Sequence, residues 1–319
     1  MATIAPTDST LSLLWDSTRL RLLVELERQG SVSAAARAVG IGQPSASEHL
    51  RLLEAAAGQR LVERNGRGSQ LTEAGRVLAS HASQALATLA AGEEELHALA
   101  GLESGTIHIG ASTTPGVYLL PDTLGCFQRD HPNVSIEVEI ASTGEIIERL
   151  LAGRIHLALV GDTAADERIQ FEPLLSDEIV GIAEPGLLSK TKGRVEPEVL
   201  TSQTLLVREA RSSTQQVADR ALRAAGVEPK RVWELDSSEA IKRAAREGLG
   251  IAFVSLYAVA EEVERGELEC FRLAGEPRIE RRFHIARLAR RSPSPSERRF
   301  TATVTRCAKD AHHAAAMSG

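Results

Sequence analysis

The chain has 319 residues, 43% of them hydrophobic, and a formal net charge of −6. That length exceeds one ordinary domain and predicts two or three, each with enough apolar residues for a real core. No stretch approaches the roughly 20 apolar residues that cross a membrane, and three cysteines without a CxxC pair (Cys126, Cys270, Cys307) predict reduced, packing roles rather than metal or redox work.

The start, MATIAPTDSTLSLLWDS, lacks both the basic opening and the apolar run of a signal peptide, so the expected location is the cytoplasm. Residues 1–15 carry no clear pattern and are expected to fray. A first helix is predicted from about Thr18 to Arg28, with Leu20, Leu23 and Val24 inward and Gly30 ending it. Ser31 to Glu54, SVSAAARAVGIGQPSASEHLRLLE, then reads as two short helices around a glycine turn. Ser33 is the expected cap of the first, Gly40 ends it, Gly42 caps the second, and Pro44 is tolerated in its first turn. Leu50, Leu53 and Ala57 recur at three and four. Gln43, Ser45, Ser47, His49 and Arg51 are left facing elsewhere, the pattern of a helix-turn-helix whose second helix enters a major groove.

QRLVERNGRGSQLTEAG follows, with Asn65-Gly66 between two short extended runs. This predicts a hairpin wing, with Arg64 and Arg67 placed to reach a phosphate backbone. Between Asp16 and Val77 nine arginines stand against seven acids, a net of 9 − 7 = +2, so the remainder carries −8. A nucleic-acid surface is thus locally basic on a chain acidic elsewhere. Every Lys/Arg before Lys190 is arginine; its fork suits phosphate and guanine, although GC-biased codons explain the same usage.

From Leu71 the positions Leu71, Gly75, Leu78, Ala82, Ala85, Leu89, Gly92, Leu96 and Leu99 alternate steps of four and three. That predicts a long helix with a coiled-coil seam, paired with a second copy; the alternative is an amphipathic helix packed on its own domain. Beyond Gly105, strands at Thr106–Ser112, Val134–Ser142 and Ile155–Gly161 alternate with helical patterns. The rhythm continues through EIVGIAE, TLLVRE, a helix from about Ser213 to Ala225, RVWELDS, a helix from Ser238 to Glu247, and LGIAFVS. Phe283–Arg290 is a late strand, SPSE at Ser294–Glu297 a capping box opening a last helix, and residues after Asp310 are expected to be disordered. Alternation of this kind predicts a parallel sheet in two α/β lobes.

Ligands of open α/β sheets bind at the carboxyl ends of strands, beside helix N-termini. Here those ends carry Ser112, Thr113 and Thr114; Ser142 and Thr143; Arg208, Arg211, Ser212, Ser213 and Thr214; and Ser237 and Ser238. Each alone is an ordinary cap. Converging on one cleft, hydroxyls, backbone N–H groups and an arginine would favour a small anion. No GxxxxGK, HExxH or GxSxG motif is present and the histidines are scattered, so neither an enzyme, a metal site nor a cofactor is expected.

GSVSAAARAVGIGQPSASEHLRLLE, RLVERNGRGSQLTEAG, the segment LLP, GEIIERLLAGRIHLALV and EAIKRAAREGLGIAFVS together resemble the LysR-type transcriptional regulators, over about Thr18 to Lys309. The resemblance implies an α/β chain with an N-terminal all-α winged helix-turn-helix (16–77), a dimerisation linker helix (75–100) and a two-lobed effector domain of the type II periplasmic-binding-protein kind (105–310). Lobe I would take about 105–165 plus 267–310, and lobe II about 166–266. It further implies a dimer or tetramer on an interrupted inverted repeat in promoter DNA, a coinducer between the lobes, and contact with RNA polymerase. Ser33, Gln43, Pro44, Ser45, Ser47 and Arg51, with Arg64 and Arg67 in the wing, become the DNA-binding set. Ser112, Thr113, Thr143, Arg211, Ser213 and Thr214 become the effector set. Two departures stand out: Glu48 is acidic in the recognition helix, where it contacts a cytosine amino group or faces away, and EARSST with its added Arg211 replaces a glycine-rich turn. The competing expectation is a cytosolic small-molecule-binding or enzymatic α/β protein with an incidental helical head.

Overall fold

A computed structural model describes residues 16–66, 68–99, 104–163, 165–187 and 193–317. The expected fraying of residues 1–15 and the wing residue Arg67 lie outside the described residues.

Helix α1 (Ser17–Gln29) starts at Asp16, whose Oδ1 accepts the Arg19 N–H at 3.0 Å, and stops at left-handed Gly30. It buries Leu20, Leu22, Leu23 and Leu26, while Val24 stays half-buried. The inward stripe is therefore turned from the expected one. Helix α2 (Val32–Val39) is capped by Ser31, whose hydroxyl accepts from the Ala34 N–H; Ser33 is not the cap but sits half-buried within the first turn. One residue decides this, because the extended backbone needed at a cap is found at Ser31. Helix α3 (Gln43–Ala57) follows Gly42 with Pro44 in its first turn, and Ala46, Leu50 and Leu53 join α1 and α2 in one core.

The Glu54 carboxylate accepts the N–H groups of Leu61 and Val62 at 2.8 and 3.1 Å, which ties the wing to α3. Strands β1 (Val62–Asn65) and β2 (Gly68–Leu71) pair Asn65 with Gly68, so Asn65 ends a strand instead of forming the turn. A Cβ on Gly75 would lie 2.1 Å from the Leu61 carbonyl oxygen, so only glycine lets the next helix run this close to the wing.

That helix, α4 (Glu73–Leu99), is 27 residues long, about 40 Å at 1.5 Å per residue. One side of it docks on its own chain. Ser83 Oγ donates to the Gly153 carbonyl at 2.6 Å, Ser80 Oγ to Leu151 at 3.2 Å, and buried Glu94 accepts the Ser296 N–H at 3.3 Å. Seam positions Gly75 and Ala82 are buried within the chain, whereas Leu89, Leu96 and Leu99 are 69%, 68% and 86% exposed.

Beyond α4 lies one mixed sheet, ten-stranded among the described residues, in the order β4 (Val134–Ala141), β3 (Gly105–Ser112), β5 (Leu157–Val160), β12 (Ile279–Leu288), β6 (Ile169–Ala183), β10 (Ile251–Ser255), β8 (Thr204–Val207) and β9 (Arg231–Glu234), with β11 (Glu269–Leu273) on β6 and β7 (Arg194–Val195) on β11. On one side β3 pairs in parallel with β4 and β5, with α5 (Thr113–Tyr118), α6 (Leu120–Asp130) and α7 (Thr143–Leu151) between them. On the other, after β7 and α8 (Pro197–Thr201), β8 pairs in parallel with β9 and β10. Helices α9 (Ser213–Ala224) and α10 (Ser238–Arg246) cross between these strands.

The wholly parallel expectation fails at the centre. There β6 and, after α11 (Ala260–Glu264) and β11, β12 run antiparallel through both lobes. The first half of β6 holds Pro173 beside a bulge, where the pairing jumps from Leu175–Phe283 to Pro173–His284. Proline at a bulge is what hides a strand from an alternation count. Helix α12 (Pro295–Met317) opens on a reciprocal Ser294–Glu297 box and stays helical past Asp310, against the expected disorder.

Candidate functional site

The outward face of α3 carries Gln43, Pro44, Ser45, Ser47 and Arg51, all exposed, and Arg64 is exposed on β1. Ser33 lies half-buried in the first turn of α2. His49 is half-buried with Nδ1 3.4 Å from Arg19 Nε, which pins it beside α1. Glu48 is exposed on the same face, and its carboxylate takes Arg51 side-on, Nε at 2.8 Å and Nη2 at 2.6 Å. Hydrogen bonding from Arg51 holds the Glu48 carboxyl below its ordinary value and raises the guanidinium in return.

The second site is a cleft of about 720 Å³ between the lobes. Thr113, Ser142 and Glu145 line it from lobe I, and Arg208, Arg211, Ser237 and Ser238 from lobe II. Ser142 and Glu145 form the reciprocal cap of α7. Thr143 Oγ1 is buried without a hydrogen-bond partner among the described residues. Arg208 is held by Glu209 and by Ser238 Oγ at 2.8 Å. Arg211 crosses the mouth: it lies over Gly144 at the start of α7 and pairs with Glu148 on that helix.

Behind this wall is a group the sequence reading missed. Arg281 on β12 and Asp177 on β6 are register partners, their side chains 3% and 0% exposed, with Nε 2.7 Å from Oδ2. Asp177 also accepts Ser255 Oγ–H at 2.7 Å. The remaining Arg281 donors reach hydroxyls at two helix starts: Thr214 at 2.8 Å and Ser213 at 3.2 Å on α9, and Thr114 at 3.2 Å on α5. One guanidinium thus ties lobe I to lobe II. Burial pushes the Asp177 carboxyl up, against the pull of Arg281 and Ser255, and burial lowers Arg281. Ser112 closes the group by accepting the Gly161 N–H at 3.1 Å, and a Cβ on Gly161 would lie 2.7 Å from Ser213 Oγ and 2.9 Å from Arg281 Nη1.

Of the six predicted effector residues, Thr113 and Arg211 line the cleft; Ser112, Ser213 and Thr214 are gathered around Gly161 and Arg281 instead, and Thr143 is the first residue of α7. A signal for the missed pair was present. Ile279, Arg281, Phe283 and Ile285 occupy one face of β12, as Leu175, Asp177 and Ile179 do on β6, so each charge falls in an apolar row.

A third cluster joins the domains. Arg28 of α1 lies 3.7 Å from Glu137 of β4, which meets His108 Nδ1 at 3.3 Å. His108 packs edge-on against His156, and His156 faces Glu297, which Arg291 grips with two 2.7 Å bonds. Among the described residues no group of His, Cys, Asp and Glu suits a metal ion, and no helix is long and apolar enough to cross a membrane.

Known proteins place this architecture. Residues 17–76 match the profile of the bacterial regulatory helix-turn-helix protein, lysR family, and residues 100–308 match the LysR substrate binding domain. A probable RuBisCO transcriptional regulator of Nostoc sp. is 32% identical over 264 residues, covering 81% of this chain and 78% of that protein. Full-length CbnR, in a complex with its target DNA, superposes with a TM-score of 0.61 at 22% identity, over 92% of this chain and 99% of that one. The regulatory domain of Synechocystis CcmR, in complex with 2-PG, gives 0.60 at 26% identity over 65% of this chain and 98% of that one. An enzyme with an incidental helical head is set aside, because the helical head and the lobes each match the same family. The chain belongs to the LysR family of DNA-binding transcriptional regulators, with a winged helix-turn-helix head and a two-lobed effector-binding domain.

Proposed function

We propose that this regulator works in the cytoplasm as a dimer or tetramer on an interrupted inverted repeat in promoter DNA. A small anionic metabolite between its lobes changes how its heads are spaced and how it meets RNA polymerase. In this reading 16–77 is the DNA-reading unit, 75–100 the pairing helix, and 105–310 the sensor, with lobe I formed by about 105–165 plus 267–310 and lobe II by about 166–266. Gln43, Pro44, Ser45, Ser47 and Arg51 enter the major groove, Ser33 joins them in contacting DNA, and Arg64 and Arg67 of the wing meet the backbone. The exposed Leu89, Leu96 and Leu99 row supports pairing, since a lone helix in water gains nothing from three such side chains.

The observation that carries the anionic reading is Arg281. A buried cation stands behind hydroxyls at two helix starts, and partial positive charge from both helix ends adds to it. Arg208 and Arg211 stand nearer the mouth. Their charge is balanced by Asp177, Glu209 and Glu148, and Glu145, Asp236 and Glu239 also line the cleft, so the ligand is expected to be small and to take hydroxyl and N–H donors. A thermal-shift screen of full-length protein against anionic, neutral and cationic metabolites tests this. A cleft ligand at 100 times its Kd adds about 2.7 kcal/mol to stability. Stabilisation confined to cations would sink the anionic reading, and a full response to the ligand in a Ser112→Ala/Ser213→Ala variant would sink the placement.

A further inference from the structure

The acidic residue in the recognition helix has a place in DNA reading. The buried Ala46, Leu50 and Leu53 define the inward side of α3. At about 100° per residue, Glu48 falls within about 15° of the line opposite that core, nearer the centre of the outward face than Ser47 or Arg51. Any docking that brings Pro44 and Arg51 to base edges brings this carboxylate with them. A carboxylate facing a groove lined by phosphates and acceptors is unfavourable unless a cation holds it or a base donates to it.

Both conditions can be met together. Glu48 takes Arg51 by the Nε and Nη2 edge, at 2.8 and 2.6 Å. The Nη1–Nη2 edge stays open, and that edge can donate two parallel bonds to guanine O6 and N7. The Glu48 oxygens keep lone pairs for an amino group, and in the major groove cytosine N4 and adenine N6 each offer one. As a bare surface ion pair this contact would matter little. At the centre of the reading face it orients a base reader and adds a second one.

We propose that Glu48 is a specificity-determining residue: with Arg51 it forms one unit that selects a G·C base pair in each half-site and disfavours binding elsewhere. The reading rests on α3 being the DNA-reading helix. Adenine N6 donates as well, but its partner thymine gives the guanidinium a single acceptor, so only a G·C pair offers two acceptors to Arg51 and an amino donor to Glu48 at once. Away from the operator the carboxylate neutralises Arg51, which weakens contact with phosphates of any sequence.

The test is in vitro selection from a random duplex library with full-length wild type, Glu48→Gln and Arg51→Ala, followed by anisotropy titrations on single-base variants of the selected site. Wild type is expected to enrich a G·C pair whose replacement by A·T costs roughly 5- to 150-fold in affinity. Both substitutions should relax that same pair to about threefold or less and keep the remaining preferences. Glu48→Gln should also bind unrelated DNA more tightly than wild type. Retention of the full wild-type motif by Glu48→Gln overturns the proposal alone, as does relaxation of different base pairs by the two variants. A wild-type protein that enriches no sequence overturns the reading role of α3, and the proposal with it.

Discussion

Replacing Arg281 by alanine leaves the Asp177 carboxylate in a fully buried position with only Ser255 as a partner. Removing one member of a buried pair typically costs about 3–5 kcal/mol, because the other charge stays behind unpaired. Thr114, Ser213 and Thr214 lose their shared donor at the same time. The loss is therefore a large share of the roughly 5–15 kcal/mol that holds a domain together. Urea unfolding of the full-length protein, followed by circular dichroism, measures it. The cost also depends on pH. Asp177 already titrates above its ordinary value in the wild type because of burial, and without Arg281 it moves higher still. A carboxyl with a raised folded pKa contributes most stability below its unfolded value and loses it as pH rises through the folded one. The Arg281→Ala deficit should thus shrink as pH falls toward the ordinary carboxyl value of 3.8. An Asp177→Leu/Arg281→Met double variant removes both charges and should recover most of the loss. A single-variant cost under about 1 kcal/mol, or a double variant worse than the single, would mean that the Asp177–Arg281 pair does not hold the lobes together.

Gly161→Ala should cost about 1–3 kcal/mol, since the added methyl meets Ser213 and Arg281 where both are buried and interlocked; thermal melting checks it, with Gly92→Ala, which meets nothing within 4 Å, as the control. Burial pushes the Glu297 carboxyl up, but His156 and Arg291 together outweigh it and hold the group at about 2 against an ordinary 4.5. That depressed value supplies about 3 kcal/mol above pH 4.5, lost as pH falls toward 2. Burial and His156 lower the His108 pKa from 6.5, so a further loss begins as pH falls below 6.5; stability-versus-pH curves of His108→Asn should lack that upper limb. Leu89→Glu with Leu96→Glu should leave a monomer by light scattering with an unchanged circular dichroism spectrum, because neither side chain is buried in its own chain, and should melt lower than wild type by the stabilisation that pairing supplies.

The local architecture was legible where one residue type at one place does the work. Gly30, Gly40 and Gly42, the Ser294–Glu297 box and the β-α-β rhythm placed most of the helices and six strands within a few residues. What escaped depends on pairing distant in sequence. Asp177 and Arg281 are 104 residues apart, and each looks like a solvated charge until its strand is seen between apolar neighbours. The first half of β6 escaped for its proline and bulge. Ser33 and Ser31 cannot be told apart as caps by residue type, since only backbone conformation separates them. The hydroxyls at strand ends were found by a rule about sheets, yet Ser213 and Thr214 proved to face a guanidinium that no local pattern supplied.

In the proposed mode of action the interlobe cleft and the DNA-reading face are coupled. The most direct test of that coupling is the affinity of full-length protein for a selected promoter fragment, by anisotropy at fixed salt, with and without a cleft ligand identified by thermal shift. A saturating ligand should change the affinity by about 5- to 150-fold, the span of 1–3 kcal/mol of coupling. A Ser112→Ala/Ser213→Ala variant should bind the same DNA and show no change. An unchanged affinity and an unchanged footprint in wild type with the cleft saturated would contradict the account.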